Sequence, residues 1–122
     1  MNSLIITIPL PPKEVRNNWR GHYMTKARAV KRYRHISCLA AKSAMGGQVL
    51  GWARASVHIT MYFPTARHLD PTNCIDSLKA AFDGLEDAGV IVNDNNLWPE
   101  RPVILTKQTN PRVELRITKE EP

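Results

Sequence analysis

Asp70, Asp76, Asp83, Glu86, Asp87 and Asp94 all fall within residues 68–96, the most acidic window of a chain whose formal net charge is +6. Carboxylates that converge in a basic protein have a chemical use. Magnesium is a hard, oxygen-seeking ion, commonly held by one or two carboxylates plus waters and substrate phosphates. It activates a water and stabilises charge on a phosphodiester under attack. Asp70 and Asp94 stand 24 positions apart and would converge if the strand before Asp94 returns beside the start of the preceding helix. Between them Thr72, Asp76, Lys79 and Asp83, spaced 4, 3 and 4, share one helical face. A plainer assignment is open for each: Asp70 as a helix cap, Asp76, Asp83 and Lys79 as a solvated face with local ion pairs, and Asp94 as a turn residue.

The helix that would carry this face is marked by its ends. Asp70 is a favoured N-cap residue and Pro71 suits the first helical position, where its missing N–H is not needed. Ile75, Leu78, Phe82 and Leu85 make one apolar stripe, and Gly89 ends the run. Around it lie strand signals. "LIITIPL" is rich in β-branched residues and stops at prolines. "ASVHITMYF" alternates Val57, Ile59, Met61 and Phe63 against polar partners, and "VIV" is a short apolar strand. "PVILTKQ" and "RVELRIT" form two more, joined by a turn at Asn110-Pro111. From Thr25 to about Met45 a helix is expected, with Val30, Tyr33, Ser37, Ala40 and Ala44 on its inner face and Gly46-Gly47 as the stop. The expected fold class is α/β: a two-layer sandwich with a mixed sheet of about five short strands and two helices packed on it, forming one domain over residues 1–122.

Charge divides the chain. Residues 1–61 hold ten Lys or Arg against Glu14, a balance of +9, and residues 62–122 hold seven against ten acids, a balance of −3. A field of that sign, with a sequence pI of about 9.7, fits nucleic acid best. The first helix carries Lys26, Arg28, Lys31, Arg32, Arg34 and His35, a run that neutralises phosphates without reading bases. With Arg16, Trp19 and Arg20 in the loop before it, this is the expected DNA surface. Trp19 and Tyr23 are available to stack on unpaired bases or to pack down on the domain. Cys38 and Cys74 are expected as reduced, partly buried thiols, and His22, His35, His58 and His68 form no recognisable metal set. No apolar run reaches the roughly 18 residues of a membrane helix and no signal peptide is evident, so a cytoplasmic protein without a membrane partner is expected.

The string "LDPTNCIDSLKAAFDGLEDAGVIVNDNN" resembles the signature of the RusA family of Holliday junction resolvases. In that family an acidic "D-x-D-N" start leads into a helix with a lysine, then "D-x-L…A-G" and a strand closing on "D-D". Asp70 matches the first acid, Asn73 the Asn, Lys79 the lysine, Asp83-Gly84-Leu85 and Ala88-Gly89 the middle, and Asp94 the last acid. "ITIPLPPKEVRNNWR" and "RVELRIT" extend the likeness over most of the chain. The chain departs at Thr72, where the family has its second acid, and at Asn93, where it has the first of the final pair. The resemblance implies a homodimeric, Mg2+-dependent endonuclease that cuts four-way DNA junctions with paired nicks. Asp70 and Asp94 would hold the metal, completed either by Asp76 as a third acid or by Thr72 and Asn93 as neutral oxygen ligands, and Lys79 would stabilise charge near the scissile phosphate. Lys79 as a structural partner of Asp76 and Asp83 is the other reading. The alternatives to a nuclease are a homologue that grips branched DNA without cutting it and, more distantly, a regulator whose basic helix docks an acidic protein.

Overall fold

Alternating β-branched runs become the strands they predict. In the computed structural model, which describes residues 2–16, 19–66 and 70–121, β1 (Ser3–Ile8) and β5 (Arg112–Lys119) pair antiparallel, and β5 pairs antiparallel with β2 (Ala55–Tyr62). His68 lies outside the described residues, as do Asn17 and Asn18 of the basic loop. The far edge of β2 is covered by two short parallel pieces, β3 (Leu97–Pro99) along its first half and β4 (Val103–Leu105) along its second. Pro99 and Pro102 interrupt what would otherwise be one edge strand, because proline has no N–H for a ladder. The result is a mixed five-stranded sheet, as expected.

Three details differ from the sequence reading. "VIV" forms no strand: Ile91 makes a single parallel bridge to Trp52. Leu97–Pro99 was not anticipated as a strand, since three residues are too few to show alternation. The helix expected between Asp70 and Gly89 is interrupted, giving α2 (Pro71–Asp76) and α3 (Lys79–Ala88), with α1 (Tyr23–Met45) packed beside α3. At the break the Ser77 hydroxyl donates to the Cys74 carbonyl at 2.7 Å, and Leu78 has ψ near 3°. Such side-chain competition for a backbone carbonyl bends helices.

α1 and α3 cover one face of the sheet, and the inward residues Leu4, Ile6, Ile59, Leu115 and Ile117 join Leu78 and Leu85 in one apolar core. The inner face of α1 is Tyr33, Ser37, Cys38, Ala41 and Met45; Val30 and Ala40 are half-buried and Ala44 is exposed, which corrects the expected seam. The seam follows the i, i+4 ridge 33–37–41–45, the row that packs against a crossing helix. The crossing is close. Ser37 is fully buried and donates from its hydroxyl to the Ala81 carbonyl at 2.8 Å, and a Cβ added to Gly84 would meet the Arg34 carbonyl oxygen at 2.3 Å. Both thiols are free and buried, as expected.

Candidate active site and nucleic-acid surface

The acidic site is assembled by a chain reversal. Gly89 takes a left-handed conformation (φ 91°) that glycine adopts freely, and the segment behind it runs back along α3. Asp94 therefore arrives beside the first turn of the helix it has just left. The Lys79 ammonium donates to Asp83 at 3.0 Å, one turn along α3, and also to Asp94. The Asp94 backbone N–H donates to the Glu86 carboxylate at 2.7 Å, which locks the returning loop onto α3.

The electrostatics follow from that geometry. Asp94 is 13% exposed at its side chain and Lys79 is 64% exposed, so the cluster opens to solvent on the lysine side. Burial, then a hydrogen bond shared with Asp94, pushes the Asp83 carboxyl above its ordinary range. The same shared hydrogen bond and the Lys79 ammonium hold Asp94 below it. Asp94 and Asp83 in turn raise Lys79, which stays protonated. Two interacting carboxyls under one ammonium titrate as a unit.

Asp70 has a different setting. Its carboxylate caps α2, accepting from the Thr72 N–H at 2.8 Å, at the opposite end of that six-residue helix from Lys79. The cap reading of Asp70 thus holds, with Pro71 in the first turn. Asp76 is exposed at the last residue of α2. Asn93 uses its side-chain oxygen to cap the turn Asp94–Asn96, accepting from Asn95 N–H at 2.9 Å. The Lys79–Asp83 pair is the local ion pair expected of that helix face, whereas Glu86 is a site residue to which the sequence reading assigned no role. The signal was present, since Asp83 stands four residues after Lys79 and Glu86 three after Asp83, but the return of Asp94 onto that face was not. Two adjacent carboxylates, Asp83 and Asp94, fit the small protein ligand set magnesium takes. Among the described residues there is no group of three or more His, Cys, Asp or Glu side chains placed to hold a metal ion.

The basic helix lies alongside. Arg34 forms a two-pronged pair with Asp87, at 2.5 and 2.7 Å, and Asp87 is held below its ordinary carboxyl range by that hydrogen bond. Arg34 therefore ties α1 to α3, and its charge also reaches Asp94. Lys26 is half-buried and donates to the Arg16 carbonyl at 3.1 Å, fastening the loop to the helix. Arg28 donates to the Met24 carbonyl at 3.4 Å, and Arg20, Lys31 and Arg32 are exposed. Trp19 is half-buried and its indole lies where any side chain on Gly21 would have to go, so it packs down on its own loop. Tyr23 is exposed and stacks on His22, whose ring nitrogen caps α1.

Among the described residues no helix is long and apolar enough to cross a membrane. Comparison with protein-family models finds no match for this chain, and comparison with curated proteins finds none either.

Proposed function

We propose that the protein is a Mg2+-dependent, structure-selective endonuclease of the RusA type, acting as a homodimer on four-way or branched DNA. The observation that carries this reading is Lys79 bridging Asp83 and Asp94 at an open rim, directly beside the basic helix α1. Exposed cations on α1 would neutralise backbone phosphates and hold the strand without reading its sequence. Asp94 and Asp83 would hold the metal, with waters and substrate phosphates completing its shell, while Asp70 and Asp76 lie on the adjoining α2. When bound, magnesium would supply an activated water and charge neutralisation at the phosphodiester. Lys79 would lend its ammonium to the phosphate oxygens as negative charge builds there. A two-fold dimer would present two such sites to a junction whose opposing strands are related by an approximate two-fold axis.

A second reading, binding of branched DNA without cleavage, is favoured by a specific feature. Thr72 and Asn93 replace two acids of the family pattern, and the Asn93 oxygen is already engaged as a cap. Cleavage of a synthetic four-way junction with and without magnesium, run beside a gel-shift comparison of junction and linear duplex, decides between the two. Asp83→Asn and Asp94→Asn are expected to abolish nicking while leaving binding intact or tighter, since each removes a ligand and a negative charge facing phosphates. Full cleavage by both variants would overturn the metal-site reading. Junction binding without magnesium-dependent nicking by the wild type would favour the second.

A further inference from the structure

A cleft of about 470 Å3 lies between the proline-rich loop after β1 and the flank of α1 that carries Ala29, Arg32 and Ile36, apart from the Lys79 cluster. Its apolar floor is Pro9, Leu10, Pro12, Ala29 and Ile36. Arg28 and Arg32, one helical turn apart, stand over the floor, with Glu14, Thr25 and Tyr33 completing the lining. Among the described residues neither arginine and not Glu14 has an ion-pair partner within 4.0 Å. The cleft is built into the fold. The Tyr33 hydroxyl donates to the Pro9 carbonyl at 2.7 Å, pinning the loop to the helix, and the prolines fix their own backbone.

The volume falls in the range of roughly 300–1,000 Å3 typical of ligand clefts. Its chemistry is divided: an apolar floor for a flat, weakly polar group, and two guanidiniums for an anion attached to it. A phosphate alone has no use for the floor. A base-paired duplex has none either, because its bases are stacked inside. An unstacked nucleotide satisfies both halves, its base lying on the aliphatic and prolyl surface and its phosphate meeting Arg28 and Arg32. The Glu14 carboxylate adds an acceptor suited to the exocyclic amino group that adenine, cytosine and guanine carry and thymine lacks.

We propose that this cleft holds one unpaired nucleotide of a DNA strand, and so makes the protein prefer distorted or branched DNA over continuous duplex. This rests on the reading of the protein as DNA-binding given above, and it assigns the preference to a site separate from the acidic cluster. The probe is a short duplex with one extra, unpaired 2-aminopurine nucleotide, compared with the same duplex without it. The wild-type protein is expected to bind the bulged duplex about fivefold more tightly, the lower end of what stacking one base on a side chain contributes, and to change the 2-aminopurine fluorescence. Ala29→Phe fills the floor and should bring the preference to about one with duplex affinity unchanged. Thr25→Phe crowds the rim from an exposed first-turn position and should do the same, which keeps the test sound if Ala29→Phe fails to fold by circular dichroism. Equal affinity of the wild type for the two duplexes overturns the cleft while leaving DNA binding intact. Full preference in the folded filled variants does so as well. Failure to bind either duplex at low salt overturns both.

Discussion

Replacing Gly84 by alanine should destabilise this protein, although the same change at an exposed helical glycine stabilises by about 1 kcal/mol. The added methyl would sit 2.3 Å from the Arg34 carbonyl oxygen, 2.9 Å from Ser37 Cβ and 3.0 Å from the Cys38 nitrogen. Two of these neighbours are backbone of a helix and cannot swing aside. α1 and α3 must therefore separate by about 1 Å to restore ordinary contact at 3.4 Å. Overpacking of this kind costs about 1–3 kcal/mol. The separation also stretches the bond from the fully buried Ser37 hydroxyl to the Ala81 carbonyl, and an unsatisfied buried pair adds about 1–3 kcal/mol. After the gain in helix propensity the net loss is about 1–5 kcal/mol, or a Tm lower by about 4–20 °C for a chain of this size. Urea denaturation and thermal melting followed by circular dichroism would measure it. Junction cleavage should fall too, because the same movement draws Arg34 away from Asp87. A neutral or stabilising Gly84→Ala would refute the close crossing and, with it, the rigid placement of the basic helix beside the acidic site.

Lys79→Met should leave Asp83 and Asp94 repelling each other without their shared ammonium, a loss of about 0.5–1 kcal/mol given how exposed Lys79 is. The sign with pH follows from the carboxyls: Asp94, held low, contributes stability above its unfolded value of about 3.9 and loses it as pH falls through its lower folded value. Asp83, held high, is disfavoured once ionised, so its contribution is lost as pH rises through its folded value. The Lys79→Met deficit should therefore be largest at neutral pH and shrink as the pair protonates in acid, with both carboxyls titrating higher by NMR; a deficit independent of pH would count against the cluster. Asp70→Ala should cost about 1 kcal/mol through the lost cap while Asp70→Asn should not, so denaturation of the two variants separates capping from any metal role. Junction affinity should fall steeply with salt, and Arg32→Ala should weaken binding to all sequences alike without loss of stability, whereas Arg34→Ala should lower both; a flat salt response would exclude phosphate-driven binding. Sedimentation with junction DNA present should show a dimer, and a species of only 13.8 kDa at micromolar protein would rule it out.

Much of the fold was legible along the chain because its signals are local. A β-branched run ending in prolines marked β1, period-two runs marked β2 and β5, Asp70-Pro71 marked the start of α2, and Gly46 and Gly89 marked the stops, each a matter of a few neighbouring dihedrals and donors. The charge division and the basic face of α1 needed only counting. What pairs across space was not legible. The window 68–96 contains both Lys79 and Asp94 but not the direction in which the chain between them folds, so the choice of Asp83 and Glu86 as neighbours of Asp94 was made by the reversal at Gly89 and the packing of the loop on α3. Arg34 reads as one more cation for phosphate until α3 brings Asp87 against it, and Gly84 reads as a flaw in a helix until α1 crosses over it. The cleft under Arg28 and Arg32 exists because Tyr33 reaches 24 residues back to hold a proline loop in place. Backbone conformation is chosen by near neighbours, whereas contacts between distant residues depend on how whole elements fill space against one another, and that is decided only when the chain is folded.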